Sequence, residues 1–300
     1  MMTNTNNIHI DVPLVQRLIS TQFPEWANLM IKPVKFSGWD NRTFHLGEHM
    51  TIRLPSSVEY SKQVEKEQYW LPKLAPKLPL SIPTPIAMGA PSKEYPLHWS
   101  IYKWIDGDTV SIERVSDLNQ FAVTLAEFLV AFQQCDTTGG PLPGEHNFFR
   151  GGNLAIYDAE TKEATKTLGH KIDVDIVTNI WNAARNSTWR NSPVWIHGDM
   201  ATGNLLVKHG QLKAVIDFGQ LGIGDPACDL VIAWTFFRNE SRKVFRETLK
   251  LDSETWARAR GWALWKALII YAGLSGTNPN DIEKSKLIIS EVIADYQNNG

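Results

Sequence analysis

The sequence predicts an α+β chain in two lobes: a small antiparallel sheet with one helix over residues 1–105, and a larger, mainly helical part over residues 106–300. Three observations carry that expectation. Short β-runs separated by turn residues fill the first third, and apolar residues recur at helical spacing through most of the rest. A hairpin-like segment at residues 205–216 interrupts the helical part. A length of 300 residues leaves room for two such units with an ample core.

Residues 30–36, 42–46 and 50–54 read as strands of a meander, parted by Ser37-Gly38-Trp39-Asp40-Asn41 and by Gly47-Glu48. In the third strand Met50, Ile52 and Leu54 share one face, and Thr51 and Arg53 the other. Residues 57–71 follow as a helix whose stripe is Val64, Glu67, Leu71 and Leu74. A carboxylate on that stripe needs a partner, because burying an unpaired charge is costly. Arg53 is the nearest by topology, so an Arg53–Glu67 ion pair is expected. Pro72 and the prolines after it are expected to end the helix. Residues 98–105 read as a strand closed by Asp106-Gly107-Asp108.

Ser116 is the expected cap of a helix with Leu118, Phe121, Leu125, Phe128, Leu129 and Phe132 on one broad apolar face. Residues 137–152 form a Gly/Pro-rich loop, either a substrate lid or an insertion. Residues 174–186 are expected to be helical and to lead into a short strand, Val194-Trp195-Ile196. Gly219, Gly222 and Gly224 run into Asp225-Pro226 rather than into a helix, which excludes a dinucleotide-binding reading.

The chemistry concentrates in His197-Gly198-Asp199, Asn204 and Asp217-Phe218-Gly219. Folding residues 205–216 about the Gly210–Gln211 midpoint sets Asn204 opposite Asp217. Opposed strand residues have Cβ atoms ~4.5–5.5 Å apart, so an amide oxygen and a carboxylate reach one hard cation. Mg²⁺ favours such oxygen donors and leaves room for substrate phosphates. Asp199, on the loop feeding the hairpin, is free to act as a base, and a base beside a two-ligand Mg²⁺ site is equipment for phosphoryl transfer.

His197-Gly198-Asp199-Met200-Ala201-Thr202-Gly203-Asn204, Ile216-Asp217-Phe218-Gly219 and Gly224-Asp225-Pro226-Ala227-Cys228-Asp229 together resemble the signature of the aminoglycoside and macrolide phosphotransferase-type kinases, relatives of the protein kinases. The resemblance runs from about residue 30 to about residue 275 and implies a bilobal protein-kinase-like fold. It implies Asp199 as catalytic base, Asn204 and Asp217 as metal ligands, His197 as the residue orienting the catalytic loop, and Asp229 as its brace. It sets the Gly38 turn over the nucleotide phosphates, with Arg53 where the pattern normally has lysine. Lys103, Trp104 and Ile105 fall at the linker between lobes, whose main chain would meet the purine. The implied cofactors are Mg²⁺ and ATP or GTP as phosphoryl donor. The implied acceptor is a hydroxyl of an antibiotic-like molecule of the aminoglycoside or macrolide class. A housekeeping metabolite kinase and a nucleotide-sensing inactive kinase are the alternatives. Residues 253–274, bordering the acceptor in that family, carry Trp256, Trp262 and Trp265 with Arg258, Arg260 and Lys266. A polycation would be better served by carboxylates.

A net charge of −2 and a pI near 6.5 give no reason to expect nucleic acid or an anionic membrane as partner. Cys135 and Cys228 provide no disulfide framework. With a polar start at residues 1–7 and no long apolar run, the expectation is a cytoplasmic enzyme without an obligate protein partner.

Overall fold

The computed structural model describes residues 9–35, 40–275 and 278–299. Asp11 opens α1 (Val12–Gln22) by accepting from the Leu14 amide, and Leu14, Val15, Leu18 and Ile19 are buried along it. The sheet comprises β1 (Ile31–Pro33), β2 (Asn41–Leu46), β3 (Met50–Pro55), β4 (Pro85–Gly89) and β5 (Trp99–Lys103), in the antiparallel order β1-β2-β3-β5-β4. Alternation assigns its faces. Phe44, Leu46, Ile52, Leu54, Trp99 and Ile101 pack with α1 into one core. Arg53, Ser100 and Tyr102 look the other way, toward α2 (Val58–Leu74) and the rest of the chain.

The expected single helix of this part therefore has a companion in α1, which covers the sheet's outer face and shields its apolar row from water. The helix α2 also continues through Pro72 instead of ending there. A proline this close to the end removes one helical hydrogen bond. Leu71 and Leu74, both buried, hold the last turn against the second core.

Beyond β5 comes β6 (Asp108–Thr109), then α3 (Leu118–Gln133), α4 (Asp158–Leu168) and α5 (Val174–Asn186). The cap of α3 is Asp117, whose Oδ1 accepts from the Asn119 and Gln120 amides; Ser116 instead donates its own amide to Gly210 O. The strands β7 (Val194–Ile196), β8 (Leu205–Lys208), β9 (Gln211–Val215) and β10 (Gly222–Gly224) follow, β10 pairing with β7 and β8 with both β6 and β9. A short α6 (Ile232–Thr235) precedes α7 (Asn239–Leu249), α8 (Ser253–Tyr271) and α9 (Pro279–Asn299). The helix α8 is apolar on nearly every side, as befits the centre of a helical layer. It packs on α4, α5 and α9. The α+β architecture, sheet first and helices after, is the one the sequence predicts. Among the described residues no helix is long and apolar enough to cross a membrane.

Candidate active site

The hairpin that carries the site closes on a two-residue turn. His209 and Gly210 both have positive φ, 52° and 77°, the geometry that matches the twist of paired strands. Lys208 therefore faces Gln211, and the fold axis lies between His209 and Gly210, one residue earlier than the sequence suggested. A bulge between Leu206 and Val207 then shifts the pairing to Leu205 opposite Val215. As a result Asn204 O accepts from Ile216 N at 2.9 Å, and Asp217 lies one residue past the opposed position. The direct Asn204–Asp217 opposition does not occur. Asp217 instead leaves the strand in a left-handed conformation, φ 67°, which aspartate tolerates better than most residues.

Asp199 is held by its loop. Asn204 Nδ2 donates to Asp199 O at 2.8 Å and to Asp199 Oδ2 at 3.2 Å, leaving Asn204 Oδ1 as the amide oxygen open to a cation. His197 is fully buried and both of its ring nitrogens are engaged. Nε2 donates to Ile216 O at 3.0 Å and Nδ1 accepts from the Asp199 amide at 3.2 Å. Phe218 meets the ring edge-on, with centroids 4.6 Å apart. So engaged, His197 ties the loop to the hairpin. Asp229, buried, accepts the His197 amide at 2.7 Å and the Gly198 amide at 2.8 Å. Burial pushes its carboxyl up, and these contacts to His197 and Gly198 oppose the rise. Gly198 itself has φ +81°, and a Cβ there would stand 2.7 Å from Gln220 O. No other residue fits that corner without moving the Asp-Phe-Gly segment.

Arg53 joins the sheet to this loop. Its Nη2 donates to Asp217 Oδ1 at 2.8 Å and its Nη1 stands 3.6 Å from Glu67 Oε1. Tyr102 donates its hydroxyl to the other Glu67 oxygen. Burial alone would raise Asp217, but the guanidinium outweighs it and holds the carboxyl below its usual range. Glu67 goes the other way, because its burial is the stronger influence. Two residues here escaped the sequence reading. Asp40 has its carboxyl raised by burial and then by Asp217, which puts a further acid at this cleft; only its place after the Gly38 turn hinted at it. Tyr102 was legible from its alternation with Ser100 on β5. Gly38 lies outside the described residues.

At the linker the Lys103 amide donates to Thr84 O at 2.9 Å and the Trp104 amide to His49 O at 2.8 Å. Both donors are thus engaged within the protein. Of the three sequence candidates only Ile105 keeps an amide without a backbone acceptor among the described residues.

Asp199 and Asp217 on one connected loop system, with the Asn204 amide between, make a sparse set of oxygen donors. Among the described residues no cluster of three or more His, Cys, Asp or Glu side chains is placed to hold a metal. That suits an ion which takes one or two protein groups and completes its shell with phosphates, as Mg²⁺ does, and would not suit zinc.

On the far side of Asp199 the residues 137–152 and α8 converge. Arg150 Nε donates to Gly198 O at 3.1 Å, and the guanidinium lies 5.0 Å from the ring centroids of both Trp262 and Trp265. Arg258 and Arg260, which the sequence grouped with Lys266 as positive charge near an acceptor, are buried ion pairs instead. Arg258 Nε donates to Asp225 Oδ2 at 2.6 Å and Arg260 Nε to Asp295 Oδ2 at 2.7 Å. Trp256 likewise belongs to the core, edge-on to Trp234 and Phe245.

The sequence profile of the phosphotransferase enzyme family, APH, matches residues 31–262, most of the chain. The chain belongs to that family. No curated protein sequence matches it significantly. Among solved structures, this phosphotransferase resembles the GDP complex of wild-type aminoglycoside 2'-phosphotransferase-IIIa at 17% identity and a TM-score of 0.74, covering 96% of this chain and 100% of that one. The GDP and kanamycin complex of APH(2")-IIia matches at 18% identity and 0.72, covering 95% and 99%. The macrolide 2'-phosphotransferase MphH from Brachybacterium faecium matches at 16% and 0.61, covering 93% and 98%. At these identities the likeness establishes the kinase-like fold of the phosphotransferase, in its bilobal form, and no more.

Proposed function

We propose that this phosphotransferase is a magnesium-dependent small-molecule kinase that moves the γ-phosphoryl group of ATP or GTP onto a hydroxyl of its acceptor. One observation carries the reading: Asn204 grips Asp199 at 2.8 Å and 3.2 Å while Asp217, a residue beyond the strand pair, takes Arg53 at 2.8 Å. The proposed base, amide ligand and carboxylate ligand would thus sit on two loops, each braced by these contacts. Asp199 would orient the acceptor hydroxyl and take its proton, a role worth ~10²–10⁴-fold. Asn204 Oδ1 and Asp217 would hold Mg²⁺, which when bound supplies charge neutralisation on the phosphate oxygens. Arg53, kept in place by Glu67 and Tyr102, would add a second positive charge there. Residues 1–105 would carry the nucleotide, with Gly38 over the phosphates and the linker of Lys103, Trp104 and Ile105 at the purine, where the free Ile105 amide is the donor of choice. Residues 106–300 would carry the acceptor.

The solved relatives named for aminoglycosides and macrolides suggest an antibiotic-like acceptor. A housekeeping metabolite is the second reading, and the Arg150 side chain beside Gly198 favours it over a polycation. Phosphoryl transfer from ATP or GTP, with and without Mg²⁺, measured against aminoglycosides, macrolides and hydroxylated metabolites, tests the reading. Turnover that requires Mg²⁺ and Asp199 supports it. Nucleotide binding with no transfer to any acceptor would point to an inactive nucleotide sensor.

A further inference from the structure

Arg150 sits against the loop that carries Asp199. Its Nε is satisfied by Gly198 O at 3.1 Å, but its Nη1 is buried and meets no acceptor. Among the described residues no carboxylate comes within ion-pair distance of its guanidinium. Trp262 and Trp265 instead hold it by their ring faces, both at 5.0 Å, with Tyr157 at 6.0 Å. The rings form a stack of their own, Tyr157 on Trp265 with centroids 3.8 Å apart. Tyr157 is anchored further by donating its hydroxyl to Phe148 O. Phe148 and Phe149 have φ of 52° and 54°, so the segment leading to Arg150 carries backbone strain. An aromatic cage and a strained loop fix the guanidinium firmly, while one buried N–H remains without a partner. A buried donor left unpaired is costly unless something supplies an acceptor.

The second cation is Lys266, one residue beyond Trp265 on α8. It is exposed, and its ammonium lies 5.7 Å from the Trp265 ring centroid. Desolvation and then the Arg150 charge pull it below its ordinary range, with Asp199 and Glu160 opposing. Two like charges share the Trp265 ring, one of them short of an acceptor, which leaves the region in want of a negative group.

Resting on the kinase reading above, we propose that the acceptor is a hydroxylated anion, whose carboxylate or phosphate ester docks on the Arg150 guanidinium and Lys266 and so presents a neighbouring hydroxyl to Asp199. A polycationic acceptor would meet a fixed guanidinium where it needs carboxylates. The forked Arg150 would fix the anion's orientation, and the exposed Lys266 would close over it.

Trp262 and Trp265 provide the reporter. With the nucleotide site saturated by a non-hydrolysable ATP analogue and Mg²⁺, tryptophan emission is followed during titration with inorganic phosphate, D-gluconate, neutral D-glucitol and cationic D-glucosamine. Saturable changes with phosphate or gluconate, absent for glucitol and glucosamine, are expected. Gluconate alone or phosphate alone would identify the source of the charge. Lys266→Glu should weaken anion binding at least tenfold with the nucleotide affinity intact, and Arg150→Lys should weaken it less than Arg150→Gln. Binding that ignores these charge changes, or no saturable anion binding at all, overturns the proposal. Failure of the nucleotide analogue to bind would contradict the kinase reading instead. The anion titration without nucleotide then still decides the anion site, by its dependence on Lys266.

Discussion

Arg53 on β3 donates to Asp217 Oδ1 at 2.8 Å while standing 3.6 Å from Glu67, so one guanidinium ties the sheet, α2 and the end of the β8–β9 hairpin together. The carboxylate it holds is the one assigned to the metal. On the proposed function, a cation arriving with nucleotide would share Asp217 with Arg53, and the phosphates would supply the guanidinium with replacement acceptors.

Arg53→Ala should weaken Mg-nucleotide binding by ~10–100-fold, the worth of a charge-assisted hydrogen bond of about 1.5–3 kcal/mol. Arg53→Lys should recover part of it, since lysine keeps the charge but loses the fork. Isothermal titration calorimetry of ATP and GTP measures this. Unchanged affinity in Arg53→Ala would remove Arg53 from the nucleotide site.

Asp229 accepts the His197 and Gly198 amides, both inside the core. Asp229→Ala leaves two buried donors without partners and should cost about 2–4 kcal/mol of stability. The same variant should lower phosphoryl transfer by loosening Asp199, whereas Asp229→Asn, which retains one acceptor, should lose less of both. Urea unfolding with parallel activity measurement separates the effects. A fully stable and active Asp229→Ala would show that the brace is dispensable.

Lys66 stands 3.1 Å from His146 Nδ1 and is half-buried between α2 and the loop over residues 137–152. Burial pulls its ammonium down from 10.5 to about 8. The folded state then binds fewer protons than the unfolded state between pH 8 and 10.5, so this group's contribution to stability rises with pH across that window. At neutral pH the charged Lys66 is a net cost. Lys66→Met should be the more stable protein at pH 7, and its advantage should shrink as the pH climbs toward 10. An advantage that stays constant or grows with pH contradicts the assignment.

Much of this was readable before any coordinates. Glu67 on an apolar stripe, Arg53 on the opposite face from Ile52, and a hairpin between Asn204 and Asp217 are periodicity arguments, and periodicity follows from backbone geometry. The register was not readable, because the turn falls on His209-Gly210, one residue early, and a bulge without a sequence mark then makes up only part of the shift. α1 was overlooked although Asp11 before Val12-Pro13 is a capping signal. Positive charge in α8 was misassigned for a different reason. Arg258 and Arg260 find Asp225 and Asp295, 33 and 35 residues away, and no local pattern reveals such partners. Arg150 escaped because it lies in an irregular loop, where side-chain direction depends on two consecutive left-handed residues.

The central claim is that Asp199 acts on the acceptor while Asn204 and Asp217 serve the metal and nucleotide. Nucleotide affinity and single-turnover phosphoryl transfer, measured side by side in Asp199→Asn and Asp217→Ala, test it most directly. Asp199→Asn should bind Mg-nucleotide as the parent does and transfer ~10²–10⁴-fold more slowly, while Asp217→Ala should lose the Mg²⁺ dependence of binding. Undiminished transfer by Asp199→Asn, or Mg²⁺-dependent binding that survives in Asp217→Ala, would contradict the account.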